Sequence, residues 1–212
     1  SEEMIVALIK GGMNGARFNF SHGSHPEHLE RLNRLKAVRD RMGCPVATIL
    51  DTKGPEIRIR SFETKTVDLA AGETFILTVE DVPGTVQRVS VTYSRLHEEV
   101  APGQEILIDD GLVAMRVREI RGRDIVCQVE NGGTLSANKS INIPGACIQL
   151  PALTEKDVAD IHFGVENDFD FIAASFVRRA ADVEAVRQVL RDCGGDNVKI
   201  IAKIENQEGI DN

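Results

Sequence analysis

The chain has 212 residues, 42% hydrophobic and 27% charged, with 18 Gly and 7 Pro, which marks a globular protein able to bury one large core or two small ones. Its formal charge of −8 argues against a general nucleic-acid binder, whose affinity rests on neutralising phosphates, and leaves open a local basic pocket for a small phosphorylated ligand. No apolar run approaches the ~20 residues of a membrane span and no signal pattern opens the chain, so neither a membrane nor a nucleic-acid partner is expected.

Residues 2–10 read as a helix stopped by Gly11-Gly12. A short strand from Ala16 to Ser21 follows. The next helix carries its apolar stripe at Leu29, Leu32, Leu35, Val38 and Met42. Ser24 and Glu27 have the spacing of a capping box at its start, and Pro26 lies in its first turn. Pro45 to Leu50 is a compact apolar run, as in a buried strand.

From about Arg58 to Pro144 the period changes to two. Residues 73–80, 88–93, 113–120 and 124–130 alternate apolar with polar side chains, and turn signals such as Pro83-Gly84, Pro102-Gly103 and Asn131-Gly132-Gly133 separate them. Short alternating strands with turns this dense predict a small antiparallel barrel or sandwich. Asp109-Asp110-Gly111 reads as one of its hairpin turns.

After Pro144 the alternation of helix and strand returns. Thr154 and Asp157 have capping-box spacing, with Val158, Ile161, His162 and Val165 on one helical face. The apolar run 169–177 reads as a strand covered on both faces. A helix through Val183, Val186, Val189, Leu190 and Cys193 ends at Gly194-Gly195, and Val198 to Ala202 forms the last strand. Cys44, Cys127, Cys147 and Cys193 are too dispersed for a metal knuckle or redox motif, and read as small buried or half-buried thiols of a reducing cytoplasm.

Ligand sites of alternating α/β folds gather at the carboxyl ends of the parallel strands. Here those ends carry Arg17, Asn19 and Ser21; Asp51 and Thr52; Ser175; and Lys203 with Glu205. Period two places Arg17, Asn19 and Ser21 on one strand face, and Lys203 beside Glu205 on another. This mixed charge suits a phosphorylated substrate bridged by a cation: Arg and Lys hold phosphoryl oxygens, and hard oxygen ligands hold Mg²⁺ or an alkali ion. His22, His25 and His28 suggest a metal triplet but straddle a helix start, so they do not face one point.

The runs MNGARFNFSHG (13–23), DTKGPEIR (51–58), IDDGL (108–112), NKSINIPG (138–145), LPALTEKD (150–157), FIAASFVR (171–178) and KIIAKIENQEG (199–209) resemble the pyruvate kinase family, in the same order and over essentially the whole chain. The resemblance implies an α/β fold, a partial (β/α)8 TIM barrel with an inserted small all-β barrel domain. Its A domain would cover residues 1–57 and 145–212, and the inserted B domain residues 58–144.

It implies phosphoryl transfer from phosphoenolpyruvate to ADP, giving pyruvate and ATP in glycolysis. Arg17 would bind the substrate phosphate, and Ser175 at the neighbouring strand end is expected to bind the substrate as well. Lys203 would be the catalytic lysine and contact the substrate. Asn19, Arg58 and Lys139 would contact ADP or ATP. Glu205 would be a ligand of Mg²⁺ (or Mn²⁺), and Asn19, Ser21, Asp51 and Thr52 ligands of K⁺. Gly15 stands where the family commonly has valine, and Ser140 where many members have glycine.

About 120 residues flank the β-module, half of the ~250 that the barrel uses. The resemblance therefore implies an N-terminal part of a longer, cytoplasmic, homotetrameric enzyme, with a second magnesium carboxylate contributed from outside these residues. On that expectation the 212 residues alone are inactive. The alternative is a non-catalytic nucleotide-binding or scaffold module built around the β-domain.

Overall fold

The computed structural model describes residues 1–146 and 148–212, so Cys147 lies outside the described residues. The chain divides into two compact units: residues 1–55, 151–205 and 209–212, and residues 56–150 with 206–208.

The first unit begins with α1 (Glu2–Lys10), β1 (Gly15–Asn19), α2 (His25–Met42) and β2 (Ala47–Asp51). The N–H of Ser24 donates to Glu27 Oε2 at 2.7 Å, which satisfies a donor that the first turn of α2 leaves free. Gly43 ends α2 with φ of 61°, a left-handed cap that glycine adopts without a Cβ penalty.

The second unit contains β3 (Ile57–Arg58), β4 (Thr66–Leu69), β5 (Thr74–Thr78), β6 (Arg88–Ser90), α3 (Leu96–Glu99), β7 (Glu105–Ile108), β8 (Val113–Arg121), β9 (Asp124–Val129), β10 (Gly133–Ser136) and β11 (Ser140–Asn142). Seven of its strands form one sheet in the order β3-β11-β7-β8-β9-β5-β6, and β4 pairs separately with β10. The two ends of the sheet meet. Ile59 bridges Val91, the N–H of Arg60 donates to the carbonyl of Ser90 at 2.8 Å, and that of Thr92 to the carbonyl of Arg58 at 2.9 Å. The result is a closed barrel, whose ring leaves no open strand edge.

Its interior is packed with fully buried Ile59, Phe75, Leu77, Val89, Ile106, Ile108, Met115 and Ile125. Burying each such side chain contributes about 1.5–3 kcal/mol. Asp109 and Asp110 make the β7–β8 hairpin turn, both with positive φ. Alternation in the sequence points to β5, β6, β8 and β9; β3, β4, β7, β10 and β11 are further strands of two to four residues that it does not single out.

The chain re-enters the first unit with α4 (Glu155–Glu166), β12 (Phe171–Ala174), α5 (Ala180–Asp192) and β13 (Lys199–Ala202); α6 (Gln207–Asp211) follows. The four strands form an all-parallel sheet in the order β1-β2-β12-β13. Helices and sheet share one core, in which Leu32, Leu35, Val38, Ile161, Val186 and Leu190 meet Phe18, Leu50, Ile172 and Ala174. With strands in chain order and a helix after each of β1 and β12, this is part of a (β/α)8 barrel wall.

Two details differ from the sequence reading. His162 is exposed, and Asp160, Ile161 and Phe163 carry the buried face of α4. The apolar run 169–177 is only partly strand: β12 ends at Ala174, and Phe176 takes φ of 58° in the turn that follows. No helix among the described residues is long and apolar enough to cross a membrane.

Candidate active site

Strand register sets which side chains share the face of the sheet opposite the helices. Arg17, Ile49, Phe171 and Lys199 stand in one row, and Asn19, Asp51, Ala173 and Ile201 in the next. Alternate residues Phe18, Leu50, Ile172 and Ala174 point into the helix-covered core. Ser175 and Lys203 come just past the strand ends on the same side as Asp51.

Asp51 is the centre of this group, with its side chain only 2% exposed. Oδ2 accepts from Arg17 Nε. Oδ1 accepts from Lys203 Nζ at 3.0 Å and lies 3.2 Å from the hydroxyl of Ser175. A buried carboxylate is tolerated when its charge is compensated, and here two cations from β1 and the end of β13 compensate it.

Lys203 also donates to Ser175 Oγ at 2.8 Å and lies 3.3 Å from Glu205 Oε1. The other oxygen of Glu205 accepts the backbone N–H of Phe176 at 2.9 Å. Thr52 Oγ1 accepts from the N–H of Ser175 at 3.2 Å, and Asn19 Oδ1 from the N–H of Ser21 at 3.0 Å. Strand β1 ends at Asn19, so Ser21 reaches the group through a turn and not through the alternation of a strand.

Arg17, Asn19, Asp51, Thr52, Ser175, Lys203 and Glu205 thus lie at the carboxyl ends of four adjacent parallel strands, with Ser21 in the turn after β1. Asn19, Ser21, Asp51 and Thr52 offer only oxygen donors with one formal negative charge. That chemistry fits a monovalent hard cation better than Mg²⁺. Glu205 offers a single carboxylate, which fits Mg²⁺ as one ligand among waters and phosphate oxygens. Among the described residues no three His, Cys, Asp or Glu side chains cluster to hold a metal.

The three histidines diverge. His28 stacks on Phe20 at 4.0 Å and its Nε2 meets the carbonyl of His22, whereas Nε2 of His25 lies 2.7 Å from Asp160.

Arg58 and Lys139 belong to the second unit. Arg58 pairs with Ser140 in the β3–β11 register, and its guanidinium contacts Glu56 at 2.7 Å and the carbonyl of Asn138. Lys139 Nζ donates to Asp109 Oδ1 at 3.0 Å. The two cations therefore sit on adjoining backbone, each held by a carboxylate. Asp109 is thus more than the turn residue that its sequence context suggests.

Three groups that shape the site are not marked as such by the sequence: Gly54, the N–H of Phe176, and Asp157, whose spacing to Thr154 signals a helix cap but not its bond to Gly54. A Cβ at Gly54 would lie 2.8 Å from that of Ser175, and the Gly54 N–H donates to buried Asp157 at 2.9 Å. A Gly-Pro pair after a strand and an acid three residues past a threonine are visible signals; their meeting is not.

The family description "Pyruvate kinase, barrel domain" matches residues 1–212. The chain belongs to the pyruvate kinase family. It is 47% identical to the pyruvate kinase of Clostridium acetobutylicum, covering 100% of this chain and 45% of that protein. It is 46% identical to the pyruvate kinases of Bacillus licheniformis and Staphylococcus aureus strain USA300, covering 100% of this chain and 37% and 36% of theirs. The chain therefore spans less than half the length of these pyruvate kinases.

Proposed function

We propose that the protein carrying these residues is a pyruvate kinase that transfers the phosphoryl group of phosphoenolpyruvate to ADP. The bond between phosphorus and the enol oxygen breaks, a bond to a terminal oxygen of ADP forms, and the enolate takes up a proton to give pyruvate. The observation that carries this reading is the convergence of Arg17 and Lys203 on Asp51 at the strand ends, beside the carboxylate of Glu205.

Arg17 holds the substrate phosphate, on the side where Ser175 lies, and Lys203 stabilises the charge that develops on the transferring group and the enolate. Asn19, Arg58 and Lys139 contact the nucleotide. Glu205 is a ligand of Mg²⁺ or Mn²⁺, and Asn19, Ser21, Asp51 and Thr52 are ligands of K⁺. When bound, these cations neutralise phosphate charge and bring donor and acceptor together.

The A domain is residues 1–57 and 145–212, and the B domain residues 58–144. The enzyme works in the cytoplasm as a homotetramer, and the 212 residues alone do not turn over, because one magnesium carboxylate leaves the metal under-held and positioning supplies much of the rate.

The test is Lys203→Met in the intact protein, assayed by coupling pyruvate to lactate dehydrogenase. A loss of two to three orders of magnitude is expected, roughly that for removing one group aimed at transition-state charge. Near-normal turnover would overturn the assignment. Wild-type rates that are equal in sodium and potassium buffers of matched ionic strength would overturn the K⁺ site.

A further inference from the structure

Ser175 closes the apolar run of β12 and is buried, 6% exposed. A serine hydroxyl has one proton to give and two lone pairs to receive with. Its shortest contact is the carbonyl of Thr52 at 2.6 Å, an acceptor only, so the proton goes there. The ammonium of Lys203, a donor only, takes a lone pair at 2.8 Å. The Asp51 oxygen at 3.2 Å is the longer and weaker contact. The hydroxyl's one proton is therefore spent within the protein, so it has none to donate to a phosphoryl oxygen, and one of its two lone pairs is held by Lys203.

Lys203 has three N–H donors. Two are directed to Ser175 and to Asp51. The contact with Glu205 at 3.3 Å lies just beyond the ordinary hydrogen-bond range, which leaves the third proton for a phosphoryl oxygen.

We infer that Ser175 is a positioning residue: its hydroxyl, anchored on the Thr52 carbonyl, aims the Lys203 ammonium at the transferring phosphoryl group and does not itself touch the substrate. This rests on the phosphotransferase reading and deepens it. The next residue works in parallel, since the Phe176 N–H holds Glu205 in the same way. Two consecutive residues after β12 thus orient the two charged residues that follow β13.

A double-mutant cycle in the intact protein tests the inference. Ser175→Ala is expected to lower kcat about ten- to a hundredfold, the penalty of a misplaced reacting group, with KM for phosphoenolpyruvate within about twofold. Ser175→Thr, which restores the hydroxyl, is expected to recover most of the loss. In a Lys203→Met background, Ser175→Ala should change the residual rate by less than about twofold, because the two residues act as one unit. An additive loss in that background, or a rise in KM matching the fall in rate, overturns the inference. Should Ser175→Ala fail to fold, Ser175→Cys, similar in volume but a weak acceptor, carries the same expectations.

A second arm needs no turnover. With limiting acetic anhydride and mass-spectrometric mapping, Ser175→Ala is expected to raise acetylation of Lys203 relative to Lys199 by about threefold or more, the scale of one lost hydrogen bond. Unchanged labelling overturns the inference. An inactive wild-type protein would refute the phosphotransferase reading, while the labelling arm still decides the role of Ser175.

Discussion

Lys203 and Asp51 meet at 3.0 Å although 152 residues separate them, because β13 and β2 flank β12 in the same parallel sheet. Arg17 approaches the other oxygen from the strand on the far side of β2. One buried carboxylate thus keeps two cations apart and in register.

Asp51→Asn removes that counter-charge and leaves Arg17 and Lys203 facing a neutral amide. Breaking a buried ion pair costs about 3–5 kcal/mol, and the lower end applies here because the side chain of Arg17 is 58% exposed. A loss of about 3 kcal/mol in urea unfolding is expected. A loss below about 1 kcal/mol would show that solvent, and not Asp51, carries the compensation.

Gly54→Ala combines two penalties. Its φ is +71°, and the new Cβ would lie 2.8 Å from Ser175 Cβ and 3.0 Å from the Ser175 carbonyl oxygen. Left-handed backbone costs about 1–2 kcal/mol and overpacking about 1–3 kcal/mol, so a loss of roughly 2–5 kcal/mol is expected. Gly12→Ala is the control: φ is +99° and no atom lies within 4 Å of the added Cβ, so only the backbone penalty applies. Equal melting-temperature shifts for the two variants would count against the close approach.

Asp157 serves α4 and the loop after β2 at once. Oδ2 accepts from the N–H of Thr154 at 2.8 Å, and Oδ1 from that of Gly54 at 2.9 Å. Asp157→Ala loses a cap, about 0.5–2 kcal/mol, and strands a buried donor, about 1–3 kcal/mol. Hydrogen exchange should then accelerate at both the Gly54 and the Thr154 amides. Acceleration at Thr154 alone would mean that the Gly54 bond contributes nothing.

Alkaline pH should weaken the β-barrel unit. Burial pushes the thiol of Cys127 up to about 12. Burial, then the hydrogen bond to Glu99, raises the Tyr93 hydroxyl to about 12. Each folded value lies above the ordinary one, so the unfolded chain gives up these protons first. The stabilisation is complete below about pH 9 and is lost as pH climbs toward 12. The urea midpoint of the unit is expected to fall between pH 9 and 11, and Tyr93→Phe with Cys127→Val should flatten that slope. An unchanged slope in the double variant would refute the assignment.

Much of this organisation is legible in the residues themselves. The stripe from Leu29 to Met42, the capping pair Thr154 and Asp157, and the change to period two after Arg58 are local signals, and the backbone obeys them because side-chain periodicity decides which face is buried. The strand-end residues Arg17, Asn19, Asp51, Thr52, Ser175, Lys203 and Glu205 are legible for a similar reason, since polar groups at the ends of apolar strands gather on the strand-end face, whereas Lys139 enters only through the family resemblance. Strands β3 and β11, of two and three residues, carry no period of their own and are defined by their partners. That Asp51 takes both Arg17 and Lys203, that Ser175 spends its proton on Thr52, and that Gly54 must lack a Cβ are facts of tertiary structure. They depend on parallel register between strands 34 to 152 residues apart, where distance and direction between side chains are set by the sheet and not by the neighbours along the chain.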